Sequence, residues 1–336
     1  MENINLKRLA QELNLSASTV SRALRGSHEI SQETKERVKA LAEKLGFQPN
    51  PHASSLRQSK SSTIAVIIPE IENNFFSKVM NGVEAVAQKK GYHVLIYLTH
   101  EAYIREKDIV QVLRNGRVDG MMISISNTTT SIEHLQDVKS SGLPLVFFDR
   151  IAESIDVPTV STDDKDAAYK GTVHLIEKNC KRIALLSMSS LLSITTRRQN
   201  GYQKALESNG LSSEGLILEC ENDDEANRIR IRELLTGENR PDGIFASVEK
   251  LAINTYEVCS ELDIKIPGEL KVISFSNLSA TALFDPPLTT IVQPAYEIGK
   301  EAAAVLFKII EKKTLLPGEN RSTFPSHIIE RKSTAG

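Results

Sequence analysis

Leu6-Lys7-Arg8-Leu9-Ala10-Gln11-Glu12-Leu13-Asn14-Leu15-Ser16-Ala17-Ser18-Thr19-Val20-Ser21-Arg22-Ala23-Leu24-Arg25-Gly26 is the stretch on which the reading of this chain turns. Asn5–Glu12 and Ala17–Leu24 have the apolar spacing of two short helices, joined by a tight turn at Leu13-Asn14-Leu15-Ser16. Leu6, Leu9, Ala10, Leu13, Leu15, Val20 and Leu24 fall on facing stripes and form a small shared core. Asn14 stands where the chain reverses, and asparagine tolerates the left-handed backbone of such a turn. Ser16 offers a hydroxyl N-cap to the second helix. Ala17, Ser18, Ser21, Arg22 and Arg25 are left pointing outward. Small residues first and arginines further along suit a helix that enters a DNA major groove.

A plain helical hairpin with a solvated charged face would share much of this pattern. Two further features favour the helix-turn-helix. Ser31–Leu45 reads as a third amphipathic helix, opened by Ser31 and Thr34 and closed by Gly46. Residues 1–60 carry ten Lys and Arg against six Asp and Glu, whereas the whole chain is at −2, so the remainder is at −6. Basic charge is thus concentrated beside the groove-entering helix, and the acidic remainder is not itself suited to DNA.

The run from Leu6 to Gly26 resembles the DNA-binding headpiece of the lactose-repressor (LacI/GalR) family, as does Ser31-Gln32-Glu33-Thr34-Lys35-Glu36-Arg37-Val38 with Leu45-Gly46-Phe47-Gln48-Pro49-Asn50. The likeness continues through Val118-Asp119-Gly120, Pro241-Asp242-Gly243-Ile244-Phe245 and Pro286-Pro287-Leu288-Thr289-Thr290-Ile291, nearly the full chain. Asn14 departs from it, since the family usually has glycine there.

The 336 residues exceed what one core usually organises. No apolar run approaches the roughly twenty residues that span a bilayer, and Lys7-Arg8 and Gln11-Glu12 interrupt any apolar leader, so neither membrane nor secretion is expected. Cys180, Cys220 and Cys259 are widely spaced without a Cys-x-x-Cys, as in a reduced cytoplasmic protein. The expected organisation is a helix-turn-helix domain over 1–48, a linker or hinge helix over 49–61 and a two-lobed body over 62–336.

Pro49, Pro51 and five serines in Gly46–Ser62 fit a flexible linker. Asn50-Pro51 is also a good N-cap and first-turn pair, with His52–Arg57 long enough for one and a half turns. Leu56 has only Ala53 as an apolar helical neighbour, and it either packs on a nearby domain or enters the minor groove as a wedge. The resemblance implies the wedge, in a hinge helix that forms on DNA with its twin.

From Ser62 onward strands and helices alternate. Thr63–Pro69, Tyr92–Leu98, Gly120–Ser124, Leu145–Phe148 and Val157–Ser161 read as strands, with helices near Phe76–Lys90, Ile104–Asn115 and Ser131–Ser140. Arg182–Leu186, Gly215–Glu219, Gly243–Ala246 and Lys271–Phe275 repeat the scheme, with helices near Lys165–Lys178, Thr195–Ser208, Ala226–Leu235 and Lys250–Leu262. Two doubly wound α/β lobes follow, with short apolar strands suited to parallel sheets buried on both faces. Fold class is therefore an N-terminal all-α helix-turn-helix headpiece plus a periplasmic-binding-protein-like α/β body. By resemblance the chain crosses between lobes near Thr162, Ile291 and Ser322. That gives a first lobe of about 62–161 plus 292–322 and a second of about 162–291 plus 323–336.

Enzyme constellations are not found: no Walker-type loop, no His-Glu-x-x-His and no Gly-x-Ser-x-Gly. The seven histidines lack metal-ligand spacing, so neither metal nor cofactor is expected. The expected function is a DNA-binding repressor controlled by a small molecule between the lobes. A ligand-binding protein without a DNA role, or a regulator answering to a partner protein, are the alternatives. A homodimer on near-palindromic double-stranded DNA is expected, by resemblance through the body with the helix Phe76–Lys90 and the region Tyr103–Leu113 as candidates, and no heptad tail is present for a tetramer.

The candidate DNA contacts are Leu6, Lys7, Ser16, Ala17, Ser18, Thr19, Ser21, Arg22 and Arg25, with Asn50, Ala53 and Leu56 in the linker. Ala17, Ser18 and Arg22 face the groove, whereas Lys7, Thr19, Ser21 and Arg25 suit phosphates. By resemblance the effector set is Phe75, Phe76, Asp149, Arg198, Glu221, Glu249 and Ser276. Val248-Glu249 replaces a usual Asn-Asp pair, and Ser276 replaces an Asp. These losses argue against the usual hexose or pentose mode, and the effector is expected to be sugar-related or an anionic metabolite paired with Arg198.

Overall fold

The computed structural model describes residues 6–24, 26–47, 60–188, 191–212 and 216–335, which divide into two compact units at Ser61/Ser62. Arg25, Asn50, Ala53 and Leu56 lie outside the described residues, as does Gly215, the first residue of an expected strand.

The N-terminal unit holds α1 (Leu6–Leu13), α2 (Ala17–Leu24) and α3 (Gln32–Lys44). Leu9, Ala10, Val20, Ala23, Val38 and Ala42 form its core, with Leu6, Leu13, Leu15 and Leu24 packed against them. Asn14 adopts φ 56° in the α1–α2 turn. The Ser16 hydroxyl accepts from the Thr19 amide at 3.1 Å and caps α2, and Ser31 caps α3 through Thr34 at 3.3 Å.

The body contains β1 (Thr63–Ile68), α4 (Asn74–Lys89), β2 (His93–Leu98), α5 (Tyr103–Leu113), β3 (Gly120–Ile123), α6 (Glu133–Ser141), β4 (Leu145–Phe148) and β5 (Thr159–Thr162). It continues through α7 (Asp164–Glu177), β6 (Ile183–Ser187), α8 (Ser193–Ser208), β7 (Ile217–Glu219), α9 (Asp224–Thr236), β8 (Gly243–Ala246), α10 (Glu249–Glu261) and β9 (Lys271–Phe275). Last come β10 (Thr289–Val292), α11 (Ala295–Ile310), β11 (Arg321–Phe324) and β12 (His327–Ile329).

One sheet runs β11-β5-β4-β3-β1-β2, all parallel, with Thr63 opposite His93 and Ile64 opposite Gly120. The other runs β12-β10-β9-β8-β6-β7 and is parallel except for the β10/β12 edge. In each, the first strand of the lobe is flanked by its second and third, so the order reverses there and a crevice opens at the strands' carboxyl ends. The chain passes between the sheets after β5, after β10 and after β11. Phe324 still pairs with Thr162 in the first sheet, so the last crossing falls beyond the expected 322.

Three differences from the sequence reading have physical reasons. β5 starts at Thr159 and not Val157, because Pro158 has no amide hydrogen for the ladder. β12 is antiparallel and β2 is an edge strand with Leu95 and Ile96 exposed, so burial on both faces holds for the inner strands only. The helix α11, absent from the alternating series read in sequence, completes the first lobe by packing across α4.

That packing depends on two glycines. A Cβ on Gly82 would lie 2.1 Å from the Tyr296 carbonyl oxygen, and one on Gly299 would lie 2.1 Å from that of Val79. Neither helix can keep this approach with alanine, so Gly82→Ala is expected to destabilise the body by about 1–3 kcal/mol. Urea denaturation that gives the same midpoint for variant and parent would contradict this packing account.

Candidate functional site

The exposed face of α2 carries Ser18 and Arg22, four residues apart, with exposed Lys7 on α1. Ser16 also bonds the hydroxyls of Ser18 at 2.7 Å and Thr19 at 2.8 Å. Arg22 Nη1 meets Glu29 Oε2 at 2.9 Å, both side chains about half exposed. Leu6 is half-buried against the core where the sequence reading put it, and Ala17, read as outward, is half-buried there too. Ser21 is half-buried as well.

In the body, Asn73, Phe75, Phe76, Asp149, Arg150, Ile194, Arg198, Val248, Glu249, Phe275, Ser276, Asn277 and Gln293 line one cavity between the lobes. Six of the seven expected effector residues therefore come together. Glu221 does not: its exposed carboxylate is tied to Arg230 at 2.5 Å beside a separate groove with Asn222 and Asn127. Arg150, Asn277 and Gln293 were missed by sequence reasoning. Each follows β4, β9 or β10 within two residues, so the rule that α/β sheets bind ligands at strand carboxyl ends would have found them.

Arg198 is buried and engaged on three sides. Its Nε and Nη2 both meet Asp164 Oδ1, at 2.8 and 2.7 Å, and its Nη1 donates to the Ser247 carbonyl at 2.5 Å. The guanidinium lies 3.8 Å from the centre of the Phe275 ring. Arg150 likewise puts Nη1 on both oxygens of buried Glu101 at 2.8 Å. An anion paired to Arg198, as expected from sequence, would have to compete with a buried carboxylate already in place. Removing Arg198 would leave Asp164 as an uncompensated buried charge, a loss of about 3–5 kcal/mol.

Glu249 opens α10 and reaches across to β9. Its Oε2 accepts from the Ser276 hydroxyl and from the Leu278 amide at 3.1 Å, and its Oε1 accepts from Asn74 of the other lobe at 3.4 Å. The carboxylate missing at Ser276 is thus supplied from the neighbouring helix.

The lobes are held together around this cavity. Lys78 donates to the Asn277 carbonyl at 2.6 Å, Arg197 meets Glu153 at 2.7 Å, and Asn127 meets Asn222 at 3.0 Å. Leu192 and Ile194 of the second lobe pack among Ile151, Ala152 and Ile155 of the first. At the crossings Gln293 donates to Thr162 at 3.0 Å, and Ser326 donates to Asp163 at 2.7 Å. The free space inside is about 40 Å³, room for a few waters; pockets for drug-sized ligands run to roughly 300–1,000 Å³. A ligand must part the lobes to enter.

Among the described residues no group of three His, Cys, Asp or Glu gathers as a metal site, and no helix is long and apolar enough to cross a membrane. Cys180, Cys220 and Cys259 are free and buried, and burial pushes the Cys180 thiol up to about 12.

A family model described as periplasmic binding proteins and sugar binding domain of LacI family matches residues 61–330. One described as bacterial regulatory proteins, lacI family, matches residues 5–50. The chain is 32% identical over 304 residues to the HTH-type transcriptional repressor CytR of Escherichia coli (strain K12), covering 90% of this chain and 88% of that one. Identity to catabolite control protein A of Priestia megaterium is 28% over 315 residues, covering 93% and 94%. The lac repressor dimer bound to operator and the anti-inducer ONPF shares the fold with a TM-score of 0.88 at 20% identity, over 100% of both chains.

Asp149 adopts φ 59° at the end of β4, and burial pushes its carboxyl up to about 6. Nearby Asp164 raises it further, against Arg150, Arg198 and a bond from Gln293 that lower it. The folded protein therefore holds this proton more tightly than the unfolded chain. Stability falls as pH rises from about 4 to 6, and the cost persists above, on the order of 3 kcal/mol. Asp149→Asn is expected to raise the melting temperature at pH 7.5, with the gap to the parent closing toward pH 4. A gap independent of pH would remove the buried charge as its cause.

Proposed function

Because the chain belongs to the lacI family of bacterial regulatory proteins, we propose that a small molecule entering the cleft between its lobes sets its affinity for DNA. It is a DNA-binding transcriptional repressor with a ligand-binding body. The observation that carries the proposed control is the cavity at the carboxyl ends of both sheets, lined from both lobes and from the β10 crossing. A ligand that parts the lobes and then holds a different closed state shifts the body by its difference in affinity for the two, typically about 1–3 kcal/mol.

The protein acts as a homodimer on a near-palindromic site in the cytoplasm, and no catalytic role is proposed. The lac repressor dimer bound to operator supports this by analogy. In this chain the edge strand β2 exposes Leu95 at 40% and Ile96 at 46%, and α5 exposes Ile104 at 74%. Apolar groups on an open edge favour cover by a second copy. Much of the apolar face of α4 is already taken by α11 and the sheet, so of the two expected regions Tyr103–Leu113 is the better candidate, and β2, which the sequence reading did not name, joins it.

Base reading is assigned to Arg22 with Ser18. The Arg22–Glu29 pair is exposed, so it holds by no more than about 1 kcal/mol, whereas a bidentate contact to guanine discriminates by about 1–3 kcal/mol. Exchange of one for the other favours DNA. Selection from randomised duplexes is expected to return a near-palindrome, with Arg22→Ala relaxed at one base pair in each half-site. An unchanged motif would exclude Arg22 from base reading. Sedimentation is expected to give a dimer on the selected site, and a tightly bound monomer would overturn that assignment.

A further inference from the structure

Four ionisable side chains line the cleft cavity, namely Asp149, Arg150, Arg198 and Glu249. The two arginines are each neutralised from behind, by Glu101 and Asp164, which stand outside the lining. The two acids have neutral donors instead: Gln293 for Asp149, and Ser276, Leu278 and Asn74 for Glu249. Lys78 donates to the Asn277 carbonyl oxygen and is not among the residues that line the cavity. Positive charge in the wall is matched and negative charge is in excess.

From this inventory we infer that the cleft takes a ligand bearing a protonated nitrogen, an amine or amidine, seated between Asp149 and Glu249. The inference rests on the reading that the cleft is the effector site. A buried carboxylate without a cationic partner is strongly disfavoured, and a ligand cation removes that deficit where a neutral polyol offers only hydrogen bonds. An anion would add repulsion in a site of low dielectric. The behaviour of Asp149 agrees, since its carboxyl is raised in spite of two guanidiniums nearby. Entry has a matching geometry. Parting the lobes withdraws Asn74 from Glu249 Oε1, and the ligand N–H takes the place of the lost donor. Phe75 and Phe76 border the same space, the Phe76 ring with the Arg150 guanidinium 5.8 Å from its centre, and they suit the apolar part of an organic cation.

The test uses the full chain at pH 7.5 and compounds matched in skeleton but not in charge. Benzamidine, benzamide and benzoate form one trio; D-glucosamine, D-glucose and D-glucuronate form another. A wider set of amines, sugars, nucleosides, sugar acids and sugar phosphates is screened beside them by thermal shift and calorimetry. The expected result is that the tightest binders are cations, and that Glu249→Gln weakens them at least tenfold while the unliganded variant melts as a folded protein. Asp149→Asn is expected to weaken the same compounds. A neutral or anionic compound that binds most tightly, with affinity unchanged in Glu249→Gln, overturns the inference and leaves the cleft as an effector site. Silence across every class counts against both.

Discussion

The buried pair of Arg198 and Asp164 sets the terms for the rest of the body. Asp164 begins α7 just after the chain leaves the first sheet at β5, and Arg198 lies on α8, so the pair joins two helices beside a crossing. Gly201 lets the helices approach, since a Cβ there would stand 2.1 Å from the Lys165 carbonyl oxygen. With Arg198 committed to Asp164, to the Ser247 carbonyl and to the face of Phe275, the second lobe presents a rigid wall to the cleft. Its charge has been settled inside the protein, and discrimination passes to groups whose charge has not.

Asp149 is the clearest of these. A carboxylate held at the end of an inner strand, with a left-handed backbone and a raised pKa, is a poor choice for stability alone. Glu249 is different in kind. It is tied to Ser276 in its own lobe and to Asn74 across the gap, so one side chain serves both as part of the wall and as a link between lobes. A wall residue that also links the lobes makes occupancy and lobe separation the same event.

Much of the fold was legible because it follows from local pattern. The turn at Asn14, the Ser16 cap and the alternating strands of both lobes depend on residues close in sequence. The cleft set around Asp149, Arg198, Glu249 and Ser276 was legible through resemblance and strand ends. What could not be read was which charge pairs with which. Asp164 opens α7, and nothing in its neighbours predicts Arg198 thirty-four residues later. The bond that Glu249 accepts from Ser276 could not be read either, because it exists only when β8 and β9 lie side by side. Glu221 was misplaced because a short strand end looks alike whether it faces the cleft or the outer edge; β7 is the edge strand of its sheet.

The close packing of α4 and α11, at Gly82 on one and Gly299 on the other, also orders events during synthesis. The first lobe begins at β1, but α11 and β11, which complete it, are made only after the whole central part of the second lobe. On the ribosome, the early strands must wait through more than a hundred residues for the helix that covers Val79 and Val83. The three N-terminal helices, by contrast, have their core residues complete by Phe47. A nascent chain therefore has the means to fold its DNA-reading helices long before either lobe is whole, and it gains a closed cleft only when synthesis is nearly finished.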